Sequence, residues 1–168
     1  MSNVSCIRDG SSNGGSIAGG EPRTSSGTRT KLVAPVVLVV DDVEDNIDLF
    51  ASVLRREDFV VATARDGIEA LAVAEAERPA VVITDLAMPI MDGFELVRRL
   101  REEEHGARMH VIVVSAFADP ASRRAAAEAG ADEYLAKPCT PAALVERVRA
   151  AIEARRQAVA GDDLPITA

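Results

Sequence analysis

Five side chains that can bind a cation or carry charge stand directly after short apolar runs of the sequence. They comprise three carboxylates, one hydroxyl and one ammonium: Asp41, Asp42, Asp85, Ser115 and Lys137. If the apolar runs are parallel strands of one sheet, their carboxyl ends share an edge, and ligands of such sheets bind at that edge. A single aspartate after a strand is most often a solvated loop residue, but the whole set predicts a functional site.

Three carboxylates at one edge must be neutralised, because two of them about 4 Å apart repel by about 4 kcal/mol at an effective dielectric constant of about 20. A domain that is stable by only about 5–15 kcal/mol does not tolerate several such repulsions. Protons, Lys137 or a bound cation could neutralise this negative charge, but Lys137 brings one positive charge against three negative ones. Oxygen ligands with open water positions suit Mg²⁺. The sequence therefore predicts a magnesium site that includes Asp41, Asp42 and Asp85.

The segments that must position these side chains alternate between strand-like and helix-like patterns. Five apolar runs predict strands, at residues 36–40, 59–64, 80–84, 110–114 and 133–136. Each run is followed by a segment whose apolar residues recur at helical spacing. Five such β-then-α units predict a single doubly wound (βα)5 domain of the α/β class with a five-stranded parallel sheet. The nearly continuous valine and isoleucine runs are typical of parallel strands covered on both faces.

Several residues indicate how the helices begin, end and face their neighbours. Ile68, Leu71 and Ala72 share one face of the predicted second helix. Gly130 suits the C-terminal cap of the fourth helix. Thr140 and Pro141 suit the N-cap and the first turn of the fifth.

The two ends of the chain differ in composition from the segment between them. Residues 1–30 contain six glycines and seven serines with hardly any apolar periodicity, so they cannot bury enough surface to offset the entropy of ordering. We therefore expect a disordered Gly/Ser-rich tail over residues 1–34, a folded domain over 35–157 and a short C-terminal tail over 158–168. Little sequence follows residue 157, so we expect output to pass through a partner protein.

Composition narrows the classes of partner and location. The net charge is −8, aromatic residues make up 3% and tryptophan is absent, which argues against general binding to nucleic acids or membranes. Cys6 and Cys139 are far apart and have no cysteine or histidine at metal-ligand spacing, as expected in a reducing compartment. No apolar run approaches the roughly 18 residues of a membrane helix. These features together predict a cytoplasmic protein.

The pattern resembles the receiver domain of bacterial two-component response regulators, the CheY-like family with a flavodoxin-like fold, of the single-domain type. The resemblance covers about residues 35–157. Its motifs are Asp41-Asp42, Asp85 in "DLAMPIMDG", Ser115 in "VSAF", and "GADEYLAKP" with Tyr134 and Lys137. The spacings of 30 residues from Asp85 to Ser115 and 52 from Asp85 to Lys137 are also similar to the family. Ser115, where threonine is also common, and Met91 are mild departures.

The resemblance implies a phosphoacceptor function rather than that of a turnover enzyme. Asp85 would attack the phosphohistidine of a sensor histidine kinase or a histidine phosphotransfer protein and become an aspartyl phosphate. Asp42, Asp85 and the backbone carbonyl of Ala87 would hold Mg²⁺, with Asp41 acting through a bound water. Lys137 would pair with one phosphoryl oxygen.

The resemblance also implies a conformational switch. The Ser115 hydroxyl would bond the incoming phosphoryl group, and Tyr134 would turn inward. These changes would alter the surface of the fourth helix, fifth strand and fifth helix, which would bind an unidentified downstream protein. By the same resemblance, the Lys137–Pro138 peptide bond is expected to be cis.

Three other functions fit parts of the sequence. A degenerate receiver that acts as an interaction scaffold would keep the fold without phosphorylation, although the intact set of acids argues against it. A haloacid-type hydrolase also uses an aspartate after a parallel strand, but it expects a second acid two residues later, where Ala87 stands. A flavin- or nucleotide-binding module of flavodoxin-like fold would need a glycine- or hydroxyl-rich phosphate loop after the first strand, whereas "DDVEDN" would repel phosphate.

Overall fold

The computed structural model describes residues 34–161, in which five strands alternate with five α-helices. The strands are β1 (Val36–Val40), β2 (Val60–Ala64), β3 (Val81–Thr84), β4 (His110–Ser115) and β5 (Glu133–Ala136). The helices are α1 (Glu44–Arg56), α2 (Gly67–Glu77), α3 (Gly93–Glu102), α4 (Pro120–Ala129) and α5 (Pro141–Gly161), with a 3-10 helix at Gly106–Arg108 before β4. The predicted tail over residues 1–34 lies outside the described residues except for Ala34. Residues 162–168 of the predicted C-terminal tail also lie outside them.

The five strands form one parallel sheet in the order β2-β1-β3-β4-β5. This order confirms the predicted doubly wound fold, because the chain winds to one side of β1 and then to the other. The register brings the carboxyl ends nearly level: Val40 pairs with Thr84, and Thr84 pairs with Val113. The residues that follow β1, β3 and β4 therefore emerge together at the edge where the winding reverses, the usual ligand site of such sheets.

Helices cover both faces of the sheet. On one face, Leu38 of β1 belongs to a core with Leu96 and other residues of α2, α3 and α4. On the other face, Val39 belongs to a core with Phe50 of α1 and Leu144 of α5. Successive residues of β1 thus point to opposite faces, as the strand geometry requires. The double cover explains the continuous apolar runs in the sequence.

The buried face of α2 differs from the face that its larger apolar residues suggest. Gly67, Ala70 and Ala74 are buried, whereas Ile68 is 56% exposed. The helix lies close to its neighbours, since a Cβ atom on Gly67 would come within 2.7 Å of the Sδ atom of Met91. Only small residues fit this contact, so the side chain of Ile68 points outward.

The helix caps follow the signals in the sequence and hold the loops near the strand ends. Thr140 caps α5 through its hydroxyl, and Gly130 ends α4 with a left-handed φ of 108°. Asp92 caps α3 by accepting a hydrogen bond from the Glu95 amide at 2.8 Å. This cap fixes the end of the loop that follows Asp85. Within residues 34–161, no helix combines the length and apolar character needed to cross a bilayer.

Candidate functional site

Neighbouring strands bring three acids together at the carboxyl edge of the sheet. The Asp41 amide donates to the Ala64 carbonyl at 3.3 Å, and the Asp85 amide donates to the Val40 carbonyl at 3.1 Å. Asp41 and Asp85 therefore each continue their strand by one residue. One carboxylate oxygen from each of Asp41, Asp42 and Asp85 lies within 4.8 Å of the others. We call these three residues the acid cluster.

Asp41 is buried, and both of its carboxylate oxygens are engaged by the protein. The residue is 3% exposed. It accepts hydrogen bonds from the Val43 amide at 2.9 Å, from Asn46 Nδ2 at 3.0 Å on each oxygen, and from Lys137 Nζ at 2.9 Å. These hydrogen bonds offset the cost of burying the charge and fix the orientation of the side chain.

Asp85 is largely buried but less well compensated. Only 11% of its side chain is exposed, and the Lys137 ammonium lies 3.6 Å away. Burial raises the pKa of the Asp85 carboxyl above its ordinary value of 3.8, and the charge of Asp41 acts in the same direction. Lys137 and the Leu86 amide oppose this rise without cancelling it. The ionised form of Asp85 is therefore disfavoured until more positive charge arrives.

Lys137 is the one ammonium group in contact with the acid cluster among the described residues. Burial acts to lower its pKa, but the hydrogen bond and charge of Asp41, with the charge of Asp85, raise it above the usual value of 10.5. The Lys137 amide donates to the Ser115 carbonyl at 2.8 Å. The Lys137–Pro138 peptide bond is cis, which confirms the expectation. One ammonium against three carboxylates leaves the cluster with excess negative charge.

Asp42 and Ala87 provide the more open side of the site. Both residues are exposed. Within residues 34–161, the Ala87 carbonyl oxygen accepts no backbone hydrogen bond, so its lone pairs are free. Carboxylates and a free carbonyl form an all-oxygen donor set, which fits the preference of Mg²⁺ for a few protein oxygens and several waters. The residues present therefore fit the predicted metal.

The loop after β3 folds back on the backbone of Asp85. The Thr84 hydroxyl donates to the Asp85 carbonyl at 2.8 Å. Gly93 lies so close to the same carbonyl oxygen that a Cβ atom there would collide with it. The Gly93 amide also donates to the Leu86 carbonyl at 3.0 Å. A residue without a side chain is thus needed at position 93 to hold Asp85 at this place.

Ser115 and Tyr134 both contact the backbone of Phe117, in the loop between β4 and α4. Ser115 ends β4 and is 1% exposed, and its hydroxyl accepts a hydrogen bond from the Phe117 amide at 3.3 Å. The Tyr134 hydroxyl donates to the Phe117 carbonyl. The Arg123 guanidinium lies 5.1 Å from the centre of the Tyr134 ring. The two predicted switch residues are thus connected through one loop residue.

Residues 37–149 match the family profile of the response regulator receiver domain. The chain belongs to this family. The receiver domain is similar to the transcriptional regulatory protein PrrA of Mycobacterium tuberculosis, with 41% identity over 138 residues. That match covers 82% of this chain and 58% of PrrA, so the chain spans little more than half of the relative's length. An uncharacterized 14.6 kDa protein of Leptolyngbya boryana is 41% identical over 113 residues, which cover 67% of this chain and 86% of that protein.

A solved structure supports the same assignment. The chemotaxis protein CheY4 of Vibrio cholerae superposes with a TM-score of 0.68 and 30% sequence identity. The match covers 71% of this chain and 99% of CheY4. The receiver fold and the family are therefore shown both by sequence and by structure.

Two residues of the receiver site, Asn46 and Phe117, have contacts that no sequence signal indicates. Asn46 lies five residues after Asp41, at the start of α1, and its side-chain amide donates to both carboxylate oxygens of Asp41. The one hint in the sequence is a polar amide in the first turn of the helix that follows the acid pair. Phe117 takes part through its backbone amide and carbonyl, which every residue type except proline would provide.

Proposed function

We propose that Asp85 accepts a phosphoryl group from the phosphohistidine of a sensor histidine kinase or a histidine phosphotransfer protein. A carboxylate oxygen attacks the phosphorus atom and the P–N bond breaks. The imidazole nitrogen keeps the electron pair and takes a proton, and an aspartyl phosphate remains. One observation carries the proposal: three carboxylates share one ammonium at the carboxyl edge of the sheet.

Hydrogen bonding distinguishes Asp85 from the other two acids as the nucleophile. Asp41 has both oxygens occupied by Asn46 and one of them also by Lys137. Asp42 is exposed to water, which weakens a carboxylate nucleophile by solvation. Asp85 is shielded from water and lies at 3.6 Å from Lys137, so an oxygen lone pair remains available for attack.

We further propose that Asp42, Asp85 and the Ala87 carbonyl hold Mg²⁺, with Asp41 acting through a water molecule. When bound, the ion supplies positive charge to the phosphoryl oxygens and reduces repulsion within the acid cluster. Lys137 pairs with one phosphoryl oxygen, because its ammonium already lies within 4 Å of both Asp41 and Asp85. The raised pKa of Asp85 supports this assignment, since burial disfavours its charged form and Lys137 does not cancel the rise.

The phosphorylated state is transmitted through the loop between β4 and α4. The Ser115 hydroxyl turns to donate to a phosphoryl oxygen and gives up its contact with the Phe117 amide. Because Tyr134 holds the carbonyl of the same residue, a shift of Phe117 releases the tyrosine to turn inward. The surface of α4, β5 and α5 then changes, and a downstream protein binds it. The new Ser115 hydrogen bond supplies the difference in contacts that a two-state shift requires.

The side chains around the acid cluster favour a protein as the phosphoryl donor. Val43, Ile90 and Phe117 lie on the loops after β1, β3 and β4 and are 48%, 81% and 50% exposed. Ile90 also has a left-handed φ of 70°, which is rare for a β-branched residue. Exposed apolar residues around a polar centre are typical of protein-binding surfaces.

Mass spectrometry of the intact chain after incubation with acetyl phosphate and Mg²⁺ tests the phosphoacceptor assignment. We expect one phosphoryl group on the wild type and none on Asp85→Asn. Asp48→Asn, which changes an exposed acid of α1, should label like the wild type. Replacing Mg²⁺ by EDTA should lower the fraction of phosphorylated wild type at least about tenfold. Labelling that survives Asp85→Asn would move the acceptor elsewhere, and an unlabelled wild type would make the domain a scaffold.

A further inference from the structure

A basic pocket opens at the edge of the sheet opposite the acid cluster. It lies where the chain enters β3 and β4 and encloses about 120 Å³. Its lining comes from three segments: Arg78 and Pro79 between α2 and β3, His105, Arg108 and Met109 between α3 and β4, and Arg155 on α5. We call this the arginine pocket.

The three arginines of this pocket lack a carboxylate partner among the described residues. No acid side chain lies within 4.0 Å of the guanidinium groups of Arg78, Arg108 or Arg155 there. Acids are plentiful, since the chain has 27 acidic and 19 basic residues. Seven other described arginines pair with an acid, whereas the exposed Arg55, Arg56, Arg123 and Arg124 also have no acid partner. What distinguishes the three pocket arginines is that they line one concavity, where their positive charge is available to an anion from outside the described residues.

Backbone contacts hold the pocket in place before any ligand binds. A guanidinium nitrogen of Arg155 donates to the Arg108 carbonyl at 2.8 Å, which leaves its other N–H groups available. Arg108 ends the 3-10 helix, and the carbonyls of Gly106 and Met109 on either side accept hydrogen bonds from Arg101. Met109 is 4% exposed and contributes to an apolar floor. The parts of the pocket that are fixed in this way lose less entropy when a ligand binds.

We propose that the arginine pocket binds a small phosphate-bearing anion. A guanidinium group presents its N–H donors in a planar fork that matches the oxygens of a phosphate group. Three such groups around about 120 Å³ supply both the charge and the donors for one or two phosphate groups. The pocket shares no residue with the acid cluster. The proposal therefore goes beyond the phosphoacceptor function and does not depend on it.

Isothermal titration calorimetry of the full chain with inorganic pyrophosphate in EDTA tests this proposal. EDTA removes divalent cations that would carry pyrophosphate to the acid cluster. We expect saturable binding that weakens at least about tenfold in the double variant Arg108→Gln/Arg155→Gln. The matched control Arg124→Gln changes an exposed arginine of α4 and should bind like the wild type. Asp85→Asn should also bind normally, which separates this result from the phosphoacceptor test.

Nuclear magnetic resonance gives a readout that needs no variant. Pyrophosphate should shift the amide signals of Gly106, Arg108 and Met109 more than those of Asp41 and Asp85. ADP carries the same diphosphate group and distinguishes a free anion from a nucleotide. Equal affinities would assign recognition to the phosphates alone. Tighter ADP binding that is also lost in the double variant would assign the site to a nucleotide.

Two results would overturn the proposal. The first is the absence of saturable pyrophosphate binding to the wild type at concentrations up to about 1 mM. The second is unchanged affinity in the double variant.

Discussion

Two charged regions of the domain show opposite ways of handling buried charge. Near the start of β4, the Arg101 guanidinium donates to the carbonyls of Gly130, Gly106 and Met109 and pairs with Asp132. In this network the positive charge meets one carboxylate and three carbonyl oxygens. At the other edge of the sheet, the acid cluster gathers three carboxylates around a single ammonium.

We interpret this difference as that between a structural group and the group to which we assign the proposed function. Removing a buried charge whose hydrogen bonds are complete destabilises the fold, because its partners are left unsatisfied. A cluster with unbalanced charge costs stability and is relieved only by a ligand of opposite sign. Substitution should therefore damage stability in the Arg101 network and damage function in the acid cluster.

The largest effect on stability is expected from Arg101→Ala. The substitution removes the guanidinium donor from Asp132 and from three carbonyl oxygens, although the Val111 amide still donates to Asp132 and the Met109 amide to the Gly106 carbonyl. The free energy of unfolding should fall by about 3 kcal/mol. Urea denaturation measures this loss. The matched control is Arg99→Ala, which removes an exposed ion pair with Glu95 and should cost less than about 1 kcal/mol. Similar small losses in both variants would contradict the structural role of the network.

A smaller effect of opposite sign is expected from Asp85→Asn in the absence of Mg²⁺. Burial raises the pKa of Asp85 in the folded state above its ordinary 3.8. The folded wild type therefore holds more protons than the unfolded chain as pH rises from about 3.8 through the raised pKa, and its stability falls over that interval. Asp85→Asn lacks this loss of stability. The amount by which its free energy of unfolding exceeds that of the wild type should therefore grow with pH, to an amount on the order of 1 kcal/mol.

Denaturation curves of the wild type and Asp85→Asn, recorded side by side from about pH 4 to pH 7, measure the difference. Titrating groups that do not interact with Asp85 are common to both proteins and cancel. An advantage that stayed constant across this range would mean that Asp85 is already balanced in the folded domain.

The smallest effect is expected from removal of residues 1–33. We propose that residues 34–161 form the folded unit, because the contacts of both charged regions lie within them. The melting temperature should change by less than about 3 °C, measured by calorimetry. A much larger decrease would mean that the two regions depend on the N-terminal segment.

The fold could be predicted from the sequence because its signals are local and repeated. Each strand is a short valine- and isoleucine-rich run, and parallel strands must place their carboxyl ends at one edge. The same rule brought Asp41 and Asp85 together in the prediction although they are far apart in the chain. The face of α2 could not be predicted, because an alanine-rich helix has little periodicity. Its orientation depends on the contact between Gly67 and Met91, which only the folded chain creates.

The details of the site were less predictable than its location. The sequence indicated which acids meet, but it did not show that Asn46 engages both oxygens of Asp41 and leaves Asp85 less compensated. Backbone contacts such as those of Phe117 carry no sequence signature. The arginine pocket was also hidden, because Arg78, Arg108 and Arg155 come from three distant segments that only packing brings together.

The central claim is that the acid cluster carries excess negative charge which a divalent cation relieves. Its most direct test is thermal and urea unfolding of the wild type, Asp42→Asn and Asp48→Asn in EDTA and in Mg²⁺. We predict that Mg²⁺ at about 100 times its Kd stabilises the wild type and Asp48→Asn by about 2.7 kcal/mol, and Asp42→Asn by far less. Equal stabilisation of all three proteins, or none of the wild type, would contradict the account.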